Sequence, residues 1–131
     1  MQRMLGSVTL AMTGLLGFLS VLIGAVGAHA LKAHLSPEAQ AWFRTAWEYQ
    51  ILHVLALGLG SVLTLNYPGI RAFRWAGLAW IFGILLFSGS LYAVSLGAPH
   101  FWVHVTPMGG FSLMAGWLLL SWGALRLRKP N

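Results

Sequence analysis

The sequence has no cysteine in 131 residues. This absence excludes disulfide bonds, zinc or iron–sulfur centres held by cysteine, and thiol nucleophiles. Its five histidines lack the spacing of a metal site, and the chain shows no nucleophile triad, nucleotide-binding loop or zinc-protease signature. We therefore expect no metal, no cofactor and no catalytic residue, and an enzyme is the less favoured class of protein.

Charged residues are nearly as scarce. Asp, Glu, Lys and Arg make up 8% of the chain and hydrophobic residues 58%, whereas a soluble domain has about 25% charged residues. So few charges cannot cover a water-facing surface, which excludes a soluble globule, a disordered tail and a coiled coil. The length predicts one domain over residues 1–131.

The net charge of +6 does not indicate a nucleic-acid partner. The basic residues lie near the ends of apolar stretches, where such residues set membrane topology and contact anionic lipids. We accordingly expect membrane lipids as partners, and no nucleic acid.

Three stretches contain no Asp, Glu, Lys or Arg: residues 4–31, 49–70 and 75–125. A helix needs about 20 apolar residues to cross a bilayer. The first two stretches therefore hold one span each, and the third holds two spans that are separated by a turn at Gly97-Ala98-Pro99. Backbone groups in lipid must be hydrogen-bonded within the protein, so the spans are helices. The sequence thus predicts an all-α, integral membrane four-helix bundle with spans at about 5–28, 46–66, 74–96 and 106–126.

The first span has some features of a signal peptide. Arg3 precedes the apolar run, and Ala28-His29-Ala30 has the pattern of a cleavage site. The run is longer than the usual 7–15 residues of a signal peptide's apolar region. We expect a retained first span.

The distribution of Lys and Arg predicts the orientation. Lys32 and Arg44 fall on one side of the membrane, and the turn at residues 97–99 adds no charge there. Six basic residues fall on the other side: Arg3, Arg71, Arg74, Arg126, Arg128 and Lys129. We expect an inner-membrane protein with both termini in the cytoplasm.

A helical extension is expected to lead into the second span. Ser36-Pro37-Glu38 has the pattern of a helix start, with Ser as N-cap, Pro at the first position and an acid in the first turn. A helix from there to Asn66 would be about 45 Å long, against about 30 Å for a bilayer core. The extension should lie at the membrane interface, where Trp42, Phe43 and Trp47 suit the aromatic belt.

Small residues at intervals of four predict close packing between spans. One such stripe lies near the end of the first span and another near the end of the third. The predicted packing residues are Ser20, Gly24 and Ala28, and Gly89, Ala93 and Gly97.

Polar residues of all four spans fall at a similar depth, in the outer half of the bundle. Thr106 is expected to cap the fourth span. An ionisable group within a span is a functional candidate by default, and a carboxylate beside an imidazole suits a proton or a polar ligand. The candidate ligand or proton site comprises His29, Glu48, Tyr49, Gln50, His53, Ser88, Ser90, Tyr92 and Thr106.

The alternative for these residues is a polar lock that fixes helix packing. Glu48 would then pair with His29, Arg44 or a backbone amide. In either case a carboxylate that loses water needs partners. We therefore expect Glu48 to accept at least two hydrogen bonds inside the bundle, at least one of them from another helix.

Four segments resemble the domain-of-unknown-function 423 family, whose eukaryotic relatives are called transmembrane protein 256. They are GAVGAHAL at 24–31, EYQILH at 48–53, LFSGSLY at 86–92 and TPMGG at 106–110. The resemblance covers nearly the whole chain in order, with Val26 where family members usually have Phe. It implies a small four-span membrane protein, in bacteria an inner-membrane one, and no established activity. The family's recurring residues map onto His29, Glu48, Tyr49, Gln50, His53, Ser88, Ser90, Tyr92, Thr106 and Pro107.

Two functions from different classes remain. The first is a binding or accessory protein that holds a lipid-like or quinone-like molecule, or a partner helix, in the outer half of the bundle. It could act as a homo-oligomer or within a larger membrane complex. The second is a small proton-coupled transporter resembling the small multidrug exporters. Those exporters depend on a Glu in their first span, and the first span here has no acid.

Overall fold

The computed structural model describes residues 1–127, and all regular structure within that range is helical. The helices are α1 (Gln2–Val26), α2 (Pro37–Asn66), α3 (Arg71–Gly83), α4 (Gly89–Ser95) and α5 (Thr106–Arg126). A π-helical turn, Gly27–Leu31, extends α1, and a second, Ile84–Ser88, joins α3 to α4. A short 3₁₀ helix, His100–His104, precedes α5.

Four helical segments are long and apolar enough to cross a membrane: Gln2–Leu31, Pro37–Asn66, Arg71–Ser95 and His100–Arg126. The predicted all-α membrane protein with four spans is therefore confirmed. Arg128 and Lys129, which contributed to the predicted orientation, lie outside the described residues.

Consecutive spans run antiparallel. Gly6 near the start of α1 lies against Leu65 near the end of α2, and Gly24 lies against Trp47. On the other side of the molecule, the third span and α5 are paired along their length, from Gly123 against Phe73 in α3 to Gly109 against Phe87 in the second π-helical turn. One end of the bundle thus holds the connections at residues 32–36 and 96–105. We call this the distal end, because it lies opposite Met1 and Arg126.

The predicted start of α2 is confirmed. Ser36 is the N-cap, and its hydroxyl accepts a hydrogen bond from the Ala39 amide at 3.2 Å. Pro37 occupies the first turn, where its missing N–H costs nothing. Gln40 then ties the preceding connection to the helix, because its Nε2 donates to the carbonyl oxygens of Lys32 (2.8 Å) and Leu35 (2.9 Å).

Large side chains of the core are accommodated by glycines on α5. Trp80 and Phe73 are fully buried. The Trp80 indole lies against Gly116, and the Phe73 ring lies against Gly123. Gly109 of α5 lies against the second π-helical turn. A Cβ on Gly109 would lie 2.7 Å from the Cα of Phe87, so the two backbones are in contact. Such close approach is the source of packing energy between helices in lipid.

The two predicted packing stripes differ in outcome. In the first, Ser20 is buried and Gly24 lies against the Trp47 indole, whereas Ala28 is exposed.

For the second stripe the expectation of close packing is wrong. A Cβ on Gly89 or Gly97 would meet nothing within 4 Å, and Ala93 is only half-buried. Gly97 instead ends the third span with φ at +100°, a conformation that glycine adopts without strain.

Candidate functional site

A layer of hydrogen-bonded polar side chains crosses the bundle in its distal half, and Gln50 lies at its centre. Gln50 is 4% exposed. Its Nε2 donates to Ser20 Oγ at 2.9 Å, and its Oε1 accepts from the Tyr92 hydroxyl at 2.7 Å. One amide on α2 therefore joins the first and third spans.

His53 lies one turn deeper on α2 and joins it to the fourth span. It is 3% exposed, and its Nε2 lies 3.0 Å from the indole nitrogen of Trp117. An indole N–H can only donate, so Nε2 is the acceptor and the ring proton is on Nδ1. That proton is donated to the Tyr49 carbonyl at 2.7 Å. His53 is thus a neutral imidazole with both nitrogens occupied.

Two serines of the third span complete the layer. Ser88 ends the π-helical turn, is buried, and donates to the Ala46 carbonyl of α2 at 2.7 Å. Ser90 and Thr106 share a hydrogen bond of 2.6 Å between the third and fourth spans. The expected cap is therefore wrong: Thr106 is the first residue of α5, and its hydroxyl bonds across to Ser90 instead of capping its own helix. A π-helical turn shifts the register of the side chains that follow it.

Glu48 and His29 are not part of this layer. The Glu48 side chain is 51% exposed, and the one ion pair that it makes within residues 1–127 joins Oε1 to Arg44 Nε on the same helix at 2.8 Å. The expectation of two hydrogen bonds inside the bundle, one from another helix, is wrong. An exposed pair of this kind contributes only about 0–1 kcal/mol to stability. His29 lies exposed in the first π-helical turn.

Tyr49 has an intermediate position at the edge of the layer. Its side chain is 43% exposed, and its ring packs against the rings of His53 (6.0 Å between centroids) and Phe87 (4.5 Å). The structure therefore brings together Gln50, His53, Ser88, Ser90, Tyr92 and Thr106, places Tyr49 beside them, and leaves His29 and Glu48 outside.

Sequence reasoning missed three members of the layer. Ser20 was assigned only to packing, and Trp117 was not singled out. Trp47 was placed in an interfacial belt, but its indole N–H donates to the Ser20 carbonyl at 2.7 Å. Phe43, assigned to the same belt, is 9% exposed and packs edge-on against Tyr92. The available signal was that a buried indole N–H usually finds a partner.

The polar layer joins the helices, and it has few polar atoms free to bind a ligand or take part in a reaction. Its amide, imidazole and hydroxyls already bond to one another or to backbone carbonyls. Within residues 1–127, no three His, Asp or Glu side chains lie close enough to hold a metal ion.

A groove opens next to the layer, at the distal end, between the end of the first span and the start of α2. It is open to the surroundings and has a volume of about 660 Å³, within the range of about 300–1,000 Å³ that is usual for ligand sites. Gly24, Gly27, Phe43 and Trp47 contribute to its walls. Because Trp47 and Phe43 are held by Ser20 and Tyr92, the polar layer fixes one side of the groove.

The rim of the groove is basic. Lys32 and Arg44 line it, and neither acid of the sequence does. Gln40, which also lines the groove, fixes the backbone of Lys32 through the two hydrogen bonds described above. The groove therefore combines an apolar interior with two basic side chains at its rim, Lys32 and Arg44, of which Arg44 is paired with Glu48. We call it the distal groove.

The family described as "Protein of unknown function (DUF423)" matches residues 23–110 of this chain. The chain belongs to the DUF423 family. This confirms the resemblance that the four sequence segments indicated. The DUF423 match spans both sides of the distal groove and most of the polar layer, but not Ser20 or Trp117.

Curated relatives share most of their length with this DUF423 chain. The UPF0382 inner membrane protein YgdD of Escherichia coli strain K12 is 39% identical over 115 residues, 88% of this chain and 87% of the relative. A UPF0382 membrane protein of Haemophilus influenzae is 38% identical over 123 residues, 92% of this chain and 95% of the relative. UPF0382 membrane protein SH2409 of Staphylococcus haemolyticus is 36% identical over 104 residues, 78% of this chain and 82% of the relative.

No solved structure matches this DUF423 chain. The relatives are named as membrane proteins, and their names state no activity. The chain is therefore a membrane protein of a family whose function is not established.

Proposed function

We propose that this DUF423 protein is a binding or accessory protein of the inner membrane that holds an amphipathic, lipid-like or quinone-like molecule in the distal groove. The observation that carries the proposal is the groove itself. It has the volume of a ligand site, apolar side chains within and two basic residues at its rim. A molecule with an apolar body and a polar head matches this arrangement.

The alternative of a proton-coupled transporter has no support from the described residues. A proton carrier inside a span needs a group that gains and loses a proton. Glu48 is exposed and paired with Arg44. If His53 gained a second proton, its Nε2–H would face the indole N–H of Trp117. Two donors would then meet with no acceptor between them. The same two observations give an enzymatic base no support.

We also propose that α1 provides the surface for assembly, as part of a homo-oligomer or a larger membrane complex. α1 packs mainly on α2. The side chains of Leu15, Phe18 and Val21 on α1 are more than half exposed. An apolar face of this kind is covered by lipid or by another membrane helix.

The orientation belongs to the same proposal: both termini in the cytoplasm and the distal groove on the outer side. It is supported by the excess of basic residues at the end that holds Arg3, Arg71, Arg74 and Arg126. A reporter that is active only outside the membrane should be inactive when fused to the C-terminus and active when inserted at Pro99. Activity at the C-terminus with none at Pro99 would contradict this orientation.

Filling the groove should abolish ligand retention without unfolding the protein. Ala41 lines the groove and is exposed, so Ala41→Trp adds bulk there without displacing core side chains. We expect the purified variant to lose at least about 90% of the amphipathic molecule that the parent protein retains, since a filled site offers no volume for a ligand. Mass spectrometry of lipid extracts measures the retained molecule.

The matched control is Leu118→Trp, which adds a similar side chain at an exposed position of α5, away from the groove. This variant should retain the molecule. Equal retention by Ala41→Trp, Leu118→Trp and the parent protein would contradict the proposed function.

A further inference from the structure

We propose that the distal groove is a site for one anionic phospholipid, whose phosphate is bound by Lys32 and Arg44 and whose acyl chain lies against Ala28, Ala41 and Trp47. This inference rests on the proposed function, which assigns an amphipathic occupant to the groove, and adds the chemical class of that occupant.

The charge of the rim is the first argument. Lys32 and Arg44 line the groove, and Lys32 makes no ion pair within residues 1–127. Glu48 accepts a hydrogen bond from Arg44 Nε, and that guanidinium has further N–H donors on its two terminal amino groups. Glu38, the second acid of the sequence, does not line the groove. Lys and Arg side chains bind phosphate through charge-assisted hydrogen bonds.

The position of the groove is the second argument. Its walls come from the last turns of the first span and the first three turns of α2, so it lies where a membrane-spanning bundle meets the headgroup region. Gly24 and Gly27 are covered by the Trp47 and Phe43 rings, so the open surface of the groove is formed by Trp47 and by the exposed Ala28 and Ala41. An acyl chain can therefore lie on this apolar surface with its phosphate at the rim.

The third argument is that the backbone that carries the rim is fixed before binding. Gln40 holds the carbonyls of Lys32 and Leu35, and Ser36 caps α2. α2 also begins at the groove, so the positive end of its dipole adds to the field of the two basic side chains. A site that is ordered in advance loses less entropy on binding.

The test uses the full-length protein in detergent, with native mass spectrometry to count bound lipids. The probes are dioleoyl phosphatidylglycerol, which carries net negative charge, dioleoyl phosphatidylcholine, which has none, and inorganic phosphate as competitor. We expect one phosphatidylglycerol per chain, bound at least about tenfold more tightly than phosphatidylcholine, because each basic residue at a membrane surface contributes about fivefold.

Charge-removing variants locate the site. Lys32→Gln and Arg44→Gln should each weaken phosphatidylglycerol binding about fivefold and weaken phosphatidylcholine binding less, because the choline charge of that lipid already offsets its phosphate. Arg71→Gln removes the same charge at the opposite end of the bundle and should have no effect. An equal loss in Arg71→Gln would overturn the proposal, because it would show attraction by net charge alone. Displacement of the lipid by inorganic phosphate at equal concentration would overturn the lipid as the occupant.

The groove-filling variant separates failure of this inference from failure of the proposed function. If Ala41→Trp blocks both lipids but the parent protein binds them equally, the groove binds amphiphiles and the preference for anionic lipid is refuted. If Ala41→Trp blocks neither lipid, the proposed function and this inference both fail.

Discussion

Gly109→Ala is expected to destabilise the protein by about 3 kcal/mol, the upper end of the range for adding a methyl group to a filled site. The added Cβ would lie 2.7 Å from the Cα of Phe87. A backbone atom cannot rotate away as a side chain can, so α5 must move away from the third span. That movement also strains the hydrogen bond between Ser90 and Thr106. Thermal unfolding in detergent, followed by circular dichroism, measures the loss.

The neighbouring glycine is the control. A Cβ on Gly110 would lie 3.7 Å from the Phe87 ring, an ordinary contact. Gly110→Ala should therefore be neutral or stabilising by up to about 1 kcal/mol, the gain in helix propensity. Equal melting temperatures for the two variants would show that α5 and the third span are not in backbone contact at Phe87.

Gln50→Leu is expected to cost about 2 kcal/mol. The substitution keeps the size of the side chain and removes two hydrogen bonds between helices, each worth about 0.6 kcal/mol in a membrane protein. It also leaves the Tyr92 hydroxyl without its acceptor, which adds about 1 kcal/mol. Unfolding free energies in mixed micelles measure the effect.

A double-mutant cycle assigns that cost to the polar layer. Tyr92→Phe combined with Gln50→Leu should show a coupling energy of about 1 kcal/mol, as expected for residues in direct contact. Asn66→Leu is the matched control, because the Asn66 amide donates only to Val62 of its own helix and is exposed. Additive effects of Gln50→Leu and Tyr92→Phe would mean that the two side chains do not interact.

The second prediction concerns a feature that the sequence indicated only in part. Gln50, His53, Ser90 and Tyr92 were selected from the sequence because polar groups are costly in a span. Their partners were not predicted. The partner of His53 is an indole on the fourth span, and that of Tyr92 is an amide on α2. Partner choice depends on how each helix is rotated about its axis.

Glu48 shows the same limit more clearly. As the only acid close to a span it was expected to lie inside the bundle. Gln50 follows it by two residues, which on an α-helix is about 200° around the axis, so the two side chains point to opposite sides of α2. The structure turns Gln50 inward and Glu48 outward. The sequence gives the position of both residues along the span, but that position does not indicate the direction in which each side chain points.

The sequence by itself determined that this is a four-span helical membrane protein, where α2 begins, and to which family the chain belongs. These properties follow from local composition, a local capping motif and short segments in order. Only the tertiary structure decided which glycines form contacts, which polar residues meet, and that a basic groove lies between the first span and α2. The physical reason is that spans in lipid are apolar on every side, so no amphipathic pattern marks the face that turns inward. That face is selected by close packing and hydrogen bonds with the neighbouring helices.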